Sequence, residues 1–453
     1  MPHNLAQAIE IATTALAVAG MGYFVASLLA ARLFLRERRA PRAEFAPGVS
    51  ILKSLKGLDP GMMDAFRSHC RQIYAGEFEL LFGVSSLDDP AVDAVRALEA
   101  EFPERAIQLI ACPERLGANG KVSTLAQLAR HARFDVLVIN DSDITVGPHY
   151  LERVVSCFAF ADDATEVQEA AEKGLSANVI PEEHSSGPEG LADSARLMRG
   201  LKPPPPSVSS FSAARKARTL WDAGKPPVGL VTALYRGRAH GTLASRLEAL
   251  GIATDFISGV LLSKMIEGGL HYGLGSTLAV RREALEKAGG MLALVDQLAD
   301  DYEMGARVVR AGYRVALSTE VVETSVPAYG WRAFFDHQLR WLRTVRDARP
   351  GGYVGMIFTH GLVWALLNVL ASGLSPVSLW LLGLSFFLRL AQAMTVGAEV
   401  LADHEVLAGL WLLPLRDVVA MGLWVAGFAG DTIVWRGERF ALRKGRLVKV
   451  ERS

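Results

Sequence analysis

The chain has 453 residues, half of them hydrophobic, with 48 Lys+Arg set against 48 Asp+Glu and so a formal net charge of zero. That balance gives no overall basic field and excludes a general nucleic-acid or polyanion binder. The cysteines, Cys70, Cys112 and Cys157, are odd in number and lack CxxC spacing; this excludes a disulfide framework and a structural zinc site, and suits a reducing compartment.

The apolar residues concentrate at the two ends. From Ile11 to Phe34 no charge appears before Arg32, so residues 8–34 are predicted to form a helix able to cross a hydrocarbon core of about 30 Å. A cleavable signal peptide would need a basic start, yet the residues before Arg32 carry one acid, Glu10, and no Lys or Arg. Arg32, Arg36, Arg38, Arg39 and Arg42 follow the span, which places the N-terminus outside and the succeeding residues in the cytoplasm.

Residues 46–346 read as an α/β domain. Val49–Leu52, Glu79–Val84, Ile107–Ala111 and Val136–Ile139 have the β-branched and aliphatic content of buried strands, and Asp64–Tyr74, Ala91–Phe102 and Lys121–Arg130 the pattern of intervening helices. Sheets of this type bind ligands beyond the carboxyl ends of their strands, so polar residues there are the first candidates. Residues 162–225, rich in Glu, Ala, Ser and Pro, offer little apolar surface and are predicted to be a mobile insertion.

Four constellations follow in chain order. Asp88 and Asp89 come directly after the strand ending at Val84, where carboxylates can accept hydrogen bonds from a nucleobase or ribose, or cap the helix that Pro90 starts. Asp141 and Asp143 flank Ser142 after Ile139; two carboxylates so spaced can hold Mg²⁺ or Mn²⁺ against a diphosphate, although the same residues also suit a turn. Asp300 and Asp301 precede a helical pattern and can serve as a cap or as the general base that an attacking hydroxyl requires, Asp301 being the candidate. His337, Arg340 and Trp341 follow Trp331, Phe334 and Phe335; an Arg can pair with a departing diphosphate, and the whole stretch also suits an interfacial helix.

Three further apolar stretches, 354–374, 377–396 and 406–428, fall in a C-terminal membrane region spanning 352–430. Three crossings would leave the basic tail, 431–453, outside, against the pull of Arg436, Arg439, Arg443, Lys444, Arg446 and Lys449. One of the three is therefore expected to be re-entrant or interfacial. The candidates are the first, interrupted by His360 and Asn368, and the third, broken by Pro414, Arg416 and Asp417, unless those last two form a buried pair.

In their order, Asp88-Asp89, Asp141-Ser142-Asp143, Asp300-Asp301 and Arg340-Trp341 resemble the family of the ceramide glucosyltransferases. Pro47-Gly48-Val49-Ser50-Ile51-Leu52-Lys53, Val228-Gly229-Leu230-Val231 and Ala279-Val280-Arg281-Arg282 add to the match. The resemblance implies a GT-A nucleotide-sugar fold, a Rossmann-like mixed sheet carried on membrane helices, and inverting transfer. It also implies nucleoside contacts at Asp88 and Asp89, metal and diphosphate at Asp141 and Asp143, a base at Asp301, and nucleotide contacts from the loop of Gly117, Asn119 and Lys121. Within the family the chain looks most like the hopanoid-biosynthesis glycosyltransferases, on Leu234-Tyr235-Arg236-Gly237 and Asp296-Gln297-Leu298-Ala299-Asp300-Asp301-Tyr302. That likeness implies a UDP-N-acetylglucosamine donor, a membrane lipid acceptor such as bacteriohopanetetrol, and a multi-pass protein of the bacterial inner membrane with its catalytic domain in the cytoplasm. The family usually has Gln or Arg three residues before the Arg, where this chain has His337. A ceramide glucosyltransferase using UDP-glucose shares all four motifs. A processive polysaccharide synthase would need more spans, and a non-catalytic scaffold would not need all four sites.

Overall fold

The computed structural model describes residues 2–39, 45–159, 225–435, 438–443 and 445–449. The expected insertion, 162–225, lies outside the described residues apart from Lys225.

The β-branched runs form strands β1 (Val49–Leu55), β2 (Phe78–Val84), β3 (Ala106–Ala111) and β4 (Val136–Ile139), interleaved with helices α2 (Met62–Cys70), α3 (Ala91–Glu101) and α4 (Gly120–Leu128). With β5 (Val228–Ala239), β6 (Leu278–Arg281) and β7 (Arg314–Val326) they make one sheet ordered β3-β2-β1-β4-β6-β5-β7. β1 runs parallel to β2 and β4, β2 parallel to β3, and β5 parallel to β7; β6 is antiparallel to both β4 and β5. The sheet is thus the mixed Rossmann-like kind. Its order reverses between β1 and β4, and the crevice beyond their carboxyl ends is where such sheets take ligands. One expected buried strand differs: β3 lies at the sheet edge and exposes alternate residues, because a sheet margin has one face and one rim open to water.

Among the described residues five helices are long and apolar enough to cross a membrane, spanning Asn4–Arg38, Leu243–Ile266, Pro350–Ala371, Pro376–Val400 and His404–Gly427. The second had no counterpart in the sequence reading, which placed apolar length only at the ends; its Arg246, Glu248, Asp255 and Lys264 interrupt the hydrophobic run. It consists of α6 (Leu243–Gly251), a π-helical turn (Ile252–Phe256) and α7 (Ile257–Ile266).

Three of the five run side by side. The N-terminal helix α1 (Pro2–Arg38) packs backbone to backbone against α12 (Gly361–Ala371), with Gly20 so close that a Cβ there would overlap Gly361. Further along, Asn368 Nδ2 donates to Thr14 Oγ1 at 2.7 Å and Thr13 Oγ1 at 3.1 Å, so the two are antiparallel. The next helix, α13 (Pro376–Ala393), continues through a second π-helical turn, Met394–Val400, and returns along α1, pairing Arg32 with Glu399 at 2.7 Å.

His404–Gly427 behaves differently, because both of its ends return to the α/β domain. Arg236 Nη1 donates to Ala402 O at 2.8 Å beside one end, and Arg346 Nη1 donates to Gly427 O at 2.6 Å at the other. Its Arg416 and Asp417 are buried but do not pair with each other: Arg416 lies 3.1 Å from Asp255 and Asp417 lies 2.7 Å from Arg389.

The basic tail folds. β8 (Thr432–Trp435), β9 (Glu438–Arg443) and β10 (Arg446–Lys449) form an antiparallel sheet whose Ile433, Phe440, Leu442 and Leu447 enclose Leu298. Leu298 N donates to Gly445 O at 3.2 Å and Leu447 N to Asp296 O at 2.9 Å, stitching this sheet to the segment before Asp300.

Candidate active site

The site is assembled at the carboxyl ends of β1, β2 and β4. Asn140 fixes the end of β4 from below, its Nδ2 donating to Ser276 O at 2.7 Å and Tyr150 Oη at 3.0 Å. Asp141 and Asp143 then project beyond the strand. Asp143 Oδ2 accepts from Thr324 Oγ1 at 2.6 Å and from Ser325 N at 3.0 Å, both on β7. Burial and the neighbouring Asp141 charge push the Asp143 carboxyl up.

Across the crevice, α4 begins at an Asn119 cap that accepts from Val122 N at 3.2 Å. Asn119 also donates to Val295 O at 2.7 Å, to Gln297 O at 2.8 Å and to Asp300 Oδ1 at 3.3 Å. Gly117 allows this approach, since a Cβ there would lie 2.6 Å from Val295 O. The start of α4 is thereby pinned to the segment that ends in α9 (Asp300–Arg310), whose first-turn acids complement the helix dipole. Lys121, one residue into α4, places Nζ 2.6 Å from Asp141 Oδ1 and 3.7 Å from Asp300 Oδ2. Burial works against its charge, but Asp141 and Asp300 outweigh it and hold the ammonium protonated.

Asp301 sits beside them, its Oδ1 accepting from Tyr302 N at 2.8 Å. The carboxylate is packed against the turn that precedes β6: a Cβ on Gly275 would lie 2.9 Å from Asp301 Oδ2. Burial, followed by the Asp300 charge, pushes its pKa up to about 6 in spite of Lys121. A carboxyl poised there is ionised at neutral pH yet basic enough to take a proton from a hydroxyl in the transition state.

Two carboxylates from β4 do not by themselves enclose a cation, and among the described residues no cluster of three or more His, Cys, Asp or Glu is arranged to do so. The donor set nevertheless fits Mg²⁺ or Mn²⁺ as those ions sit on nucleotides, with one or two carboxylates and the rest of the shell from phosphate and water. The rise in the Asp143 pKa, caused in part by Asp141, is the mark of like charges that a cation would relieve.

Residues 12–168 and 218–448, well over half of the chain, match the family described as Glycosyl transferase family 21. The chain belongs to this family. It is a membrane-associated glycosyltransferase. Among curated relatives it is 23% identical over 412 residues to ceramide glucosyltransferase 3 of Caenorhabditis elegans, covering 88% of this chain and 73% of the relative. It is 24% identical over 416 residues to ceramide glucosyltransferase 1 of the same organism, covering 90% and 74%. Among solved structures it is similar to the mannosyltransferase PcManGT of Pyrobaculum calidifontis in complex with GDP-Man and Mn²⁺, at 19% identity and a TM-score of 0.45 over 93% of this chain and 99% of that one.

In this family 21 glycosyltransferase the fold brings Lys121, Asp141, Asp143, Asp300 and Asp301 together, as the geometry above describes. Asp88 and Asp89 stand to one side, at the end of β2. Asp89 does cap, accepting from Ala91 N at 2.9 Å, and it also accepts from Gly57 N at 2.9 Å in the loop after β1. That loop reaches the segment after β4, because Asp59 accepts from Ser142 Oγ. Asp88 is exposed and, among the described residues, bonds locally to Ser86.

His337, Arg340 and Trp341 lie on α10 (Trp331–Ala348). His337 Nδ1 is 3.2 Å from Glu248 and 3.3 Å from Tyr329 Oη, and its ring lies 5.0 Å from that of Trp341. One hydrogen-bonding partner of this histidine is therefore a buried glutamate on α6, which no sequence signal announced.

Lys53 and Tyr235, both within quoted motifs, were given no role from sequence. Lys53 is 1% exposed and donates to Asp141 O at 3.0 Å; burial pushes its pKa down to about 7, with Asp143 and Asp141 opposing. Tyr235 is buried, and desolvation together with the charges of Asp301, Glu248, Asp141 and Asp143 raises its hydroxyl well above the ordinary value. A lysine directly after an apolar pair in a buried strand, as in Ile51-Leu52-Lys53, is the one signal that could have marked the first of these.

Proposed function

We propose that this protein transfers N-acetylglucosamine from UDP-N-acetylglucosamine, with inversion, to a hydroxyl of a membrane lipid, a hopanoid such as bacteriohopanetetrol. The observation that carries the reading is the convergence of Lys121, Asp141, Asp143, Asp300 and a base-ready Asp301 in one crevice. The acceptor oxygen attacks the anomeric carbon as its proton passes to the Asp301 carboxylate, while the bond from that carbon to the β-phosphate oxygen breaks and UDP leaves. Lys121 faces the place where charge develops on the leaving diphosphate, and Arg340 and Trp341 supply contacts to the diphosphate or the acceptor. Asp88 and Asp89 take the nucleoside. A divalent cation on Asp141 and Asp143 would neutralise the departing diphosphate.

The five long apolar helices support a bilayer-bound enzyme, and the bilayer in this reading is the bacterial inner membrane. In this reading α1, α12 and α13 cross, and Leu243–Ile266 and His404–Gly427 lie along the cytoplasmic interface, where both their ends meet the catalytic domain. Two returning crossings then leave the basic C-terminal sheet on the same side as that domain, in accord with its charge. The similarity to ceramide glucosyltransferases favours a second reading, UDP-glucose and ceramide. Both are tested by incubating the membranes with UDP-N-acetylglucosamine or UDP-glucose, with bacteriohopanetetrol or ceramide added, and analysing extracted lipids by mass. A hexosaminyl hopanoid supports the first, a hexosyl ceramide the second, and no glycosylated lipid overturns both.

A further inference from the structure

Where α6–α7, α13 and α15 (Leu413–Gly427) meet, four charged side chains cluster, of which Arg389, Arg416 and Asp417 are buried and Asp255 is partly open. Arg389 uses its donors fully: on Asp417 at 2.7 Å, Asp255 at 2.5 Å, Gln392 Oε1 at 2.5 Å and Thr254 O at 3.2 Å. Arg416 does not. Its Nη2 lies 3.1 Å from Asp255 Oδ2, but Nε and Nη1 are buried without a hydrogen-bond partner in a residue 7% exposed. The guanidinium is pressed onto the α6 backbone at Gly251, where a Cβ would overlap it. His360, 5% exposed, likewise leaves Nε2 without a partner. Buried donors are costly to leave unpaired, so such a cluster either strains the fold or awaits an acceptor.

Three features point to an acceptor. Asp255 keeps 30% of its side chain open, so the cluster is not a sealed core, and its Oδ2, buried beside Arg416, is also without a hydrogen-bond partner. Two arginines face two aspartates, which leaves no net charge to attract a phosphate and favours a neutral group that both donates and accepts. Asp255 also occupies one of the two π-helical turns described, a distortion frequently found at functional sites.

Position completes the case. Arg389 lies roughly four turns from Ser375 at the far end of α13, about 21 Å at about 1.5 Å per residue, which in a crossing helix is towards the catalytic-domain side of a hydrocarbon core of about 30 Å. Next to Asp255 in the chain, the Phe256 ring lies 5.5 Å from that of Tyr235 and 6.4 Å from that of Trp341. Tyr235 in turn feels the charges of Asp301, Asp141 and Asp143. The aromatic run of Phe256, Tyr235 and Trp341 thus leads from the cluster to within electrostatic reach of the candidate base.

We propose that the Asp255–Arg416 cluster binds the polar head of the acceptor lipid, through a neutral hydroxyl or amide that donates to Asp255 and accepts from Arg416; the inference rests on the lipid-acceptor reading above. Held there, the lipid keeps its chains among the apolar helices and presents a hydroxyl past Phe256 towards Asp301.

The test uses the full-length protein in mixed micelles containing the total lipid extract of its source membranes, with radiolabelled UDP-sugar, and measures label in lipid while each substrate is varied. The decisive variant is Arg416→Lys, which keeps the counter-charge of Asp255 and removes the two unpartnered N–H groups. The half-saturating lipid concentration should rise roughly five- to ten-fold, with that for UDP-sugar within about two-fold. A purely structural network predicts no change in either, and that result, or an equal change in both, overturns the proposal. Should Arg416→Lys prove unstable by thermal unfolding, His360→Leu carries the test with the same expectation in direction. If the wild-type protein labels no lipid, the glycosyltransfer reading itself falls and takes this one with it.

Discussion

Lys121 Nζ lies 2.6 Å from Asp141 Oδ1, joining the first turn of α4 to the end of β4 across the mouth of the crevice. Removing that ammonium leaves Asp141 and Asp300 facing each other and strips a donor from the site where negative charge develops. Lys121→Met should lower kcat/KM for the UDP-sugar by about 10²-fold, and Lys121→Arg should recover only part of it, because a guanidinium fork fills a space shaped for a point charge. Initial rates against donor concentration would decide this.

Chelation provides the second expectation. Asp141 and Asp143 lack a third carboxylate partner among the described residues, so a cation should be held mainly in company with the diphosphate. Excess EDTA should abolish transfer, and Mg²⁺ or Mn²⁺ should restore it. Asp141→Ala and Asp143→Ala should stay folded and inactive, with unfolding temperatures near wild type. Full activity in excess chelator would remove the cation from the scheme.

The pH profile should report Asp301. The proton-accepting form is the ionised one, so kcat/KM should fall with unit slope as pH drops through about 6, and the bound cation should shift that limb lower. Asp301→Asn should reduce turnover by on the order of 10²-fold or more and erase the limb, with donor binding nearly intact. The same raised pKa has a cost. The folded state binds this proton more tightly than the unfolded chain, so stability falls as pH rises from the unfolded carboxyl range through about 6. Asp301→Asn should therefore melt higher than wild type at pH 7.5, and the gain should shrink at pH 5. A variant with wild-type turnover would shift the assignment to Asp300.

The C-terminal sheet should matter to the donor. Leu442 and Leu447 pack on Leu298, and the adjoining backbone positions Asn119 and Asp300. Placing a charge in that cluster with Leu447→Asp should loosen the loop and raise KM for the UDP-sugar about ten-fold, while the protein remains membrane-extracted as before. Unchanged donor KM would mean that the sheet is only an appendage.

Much of this fold was legible because strand and helix periods are local. The strands through β4 begin within a residue of their expected places, and the acids after them follow from the rule that ligands collect at carboxyl ends. What escaped is long-range. Glu248 meets His337 through the packing of α6 on α10, and nothing near either residue encodes that contact. Leu243–Ile266 was missed because its charged residues break the hydropathy signal, although Asp255 and Lys264 find counter-charges in the fold. The tail reads as basic, and its few apolar residues gain meaning from Leu298, which lies far away in sequence.

The contact of Gly20 with Gly361 has a practical consequence for engineering. A membrane anchor that serves only as a tether can be exchanged for any apolar helix of similar length. Here the first helix meets its neighbour through bare backbone, and any side chain at Gly20 would force the pair apart. Arg32 and Glu37 also reach Glu399 and Lys264 from the same helix, so a foreign span would detach the catalytic domain from its supports while still delivering the protein to the bilayer. The N-terminal helix is thus a fitted part, and variants that trim or replace it should be membrane-bound yet mis-assembled.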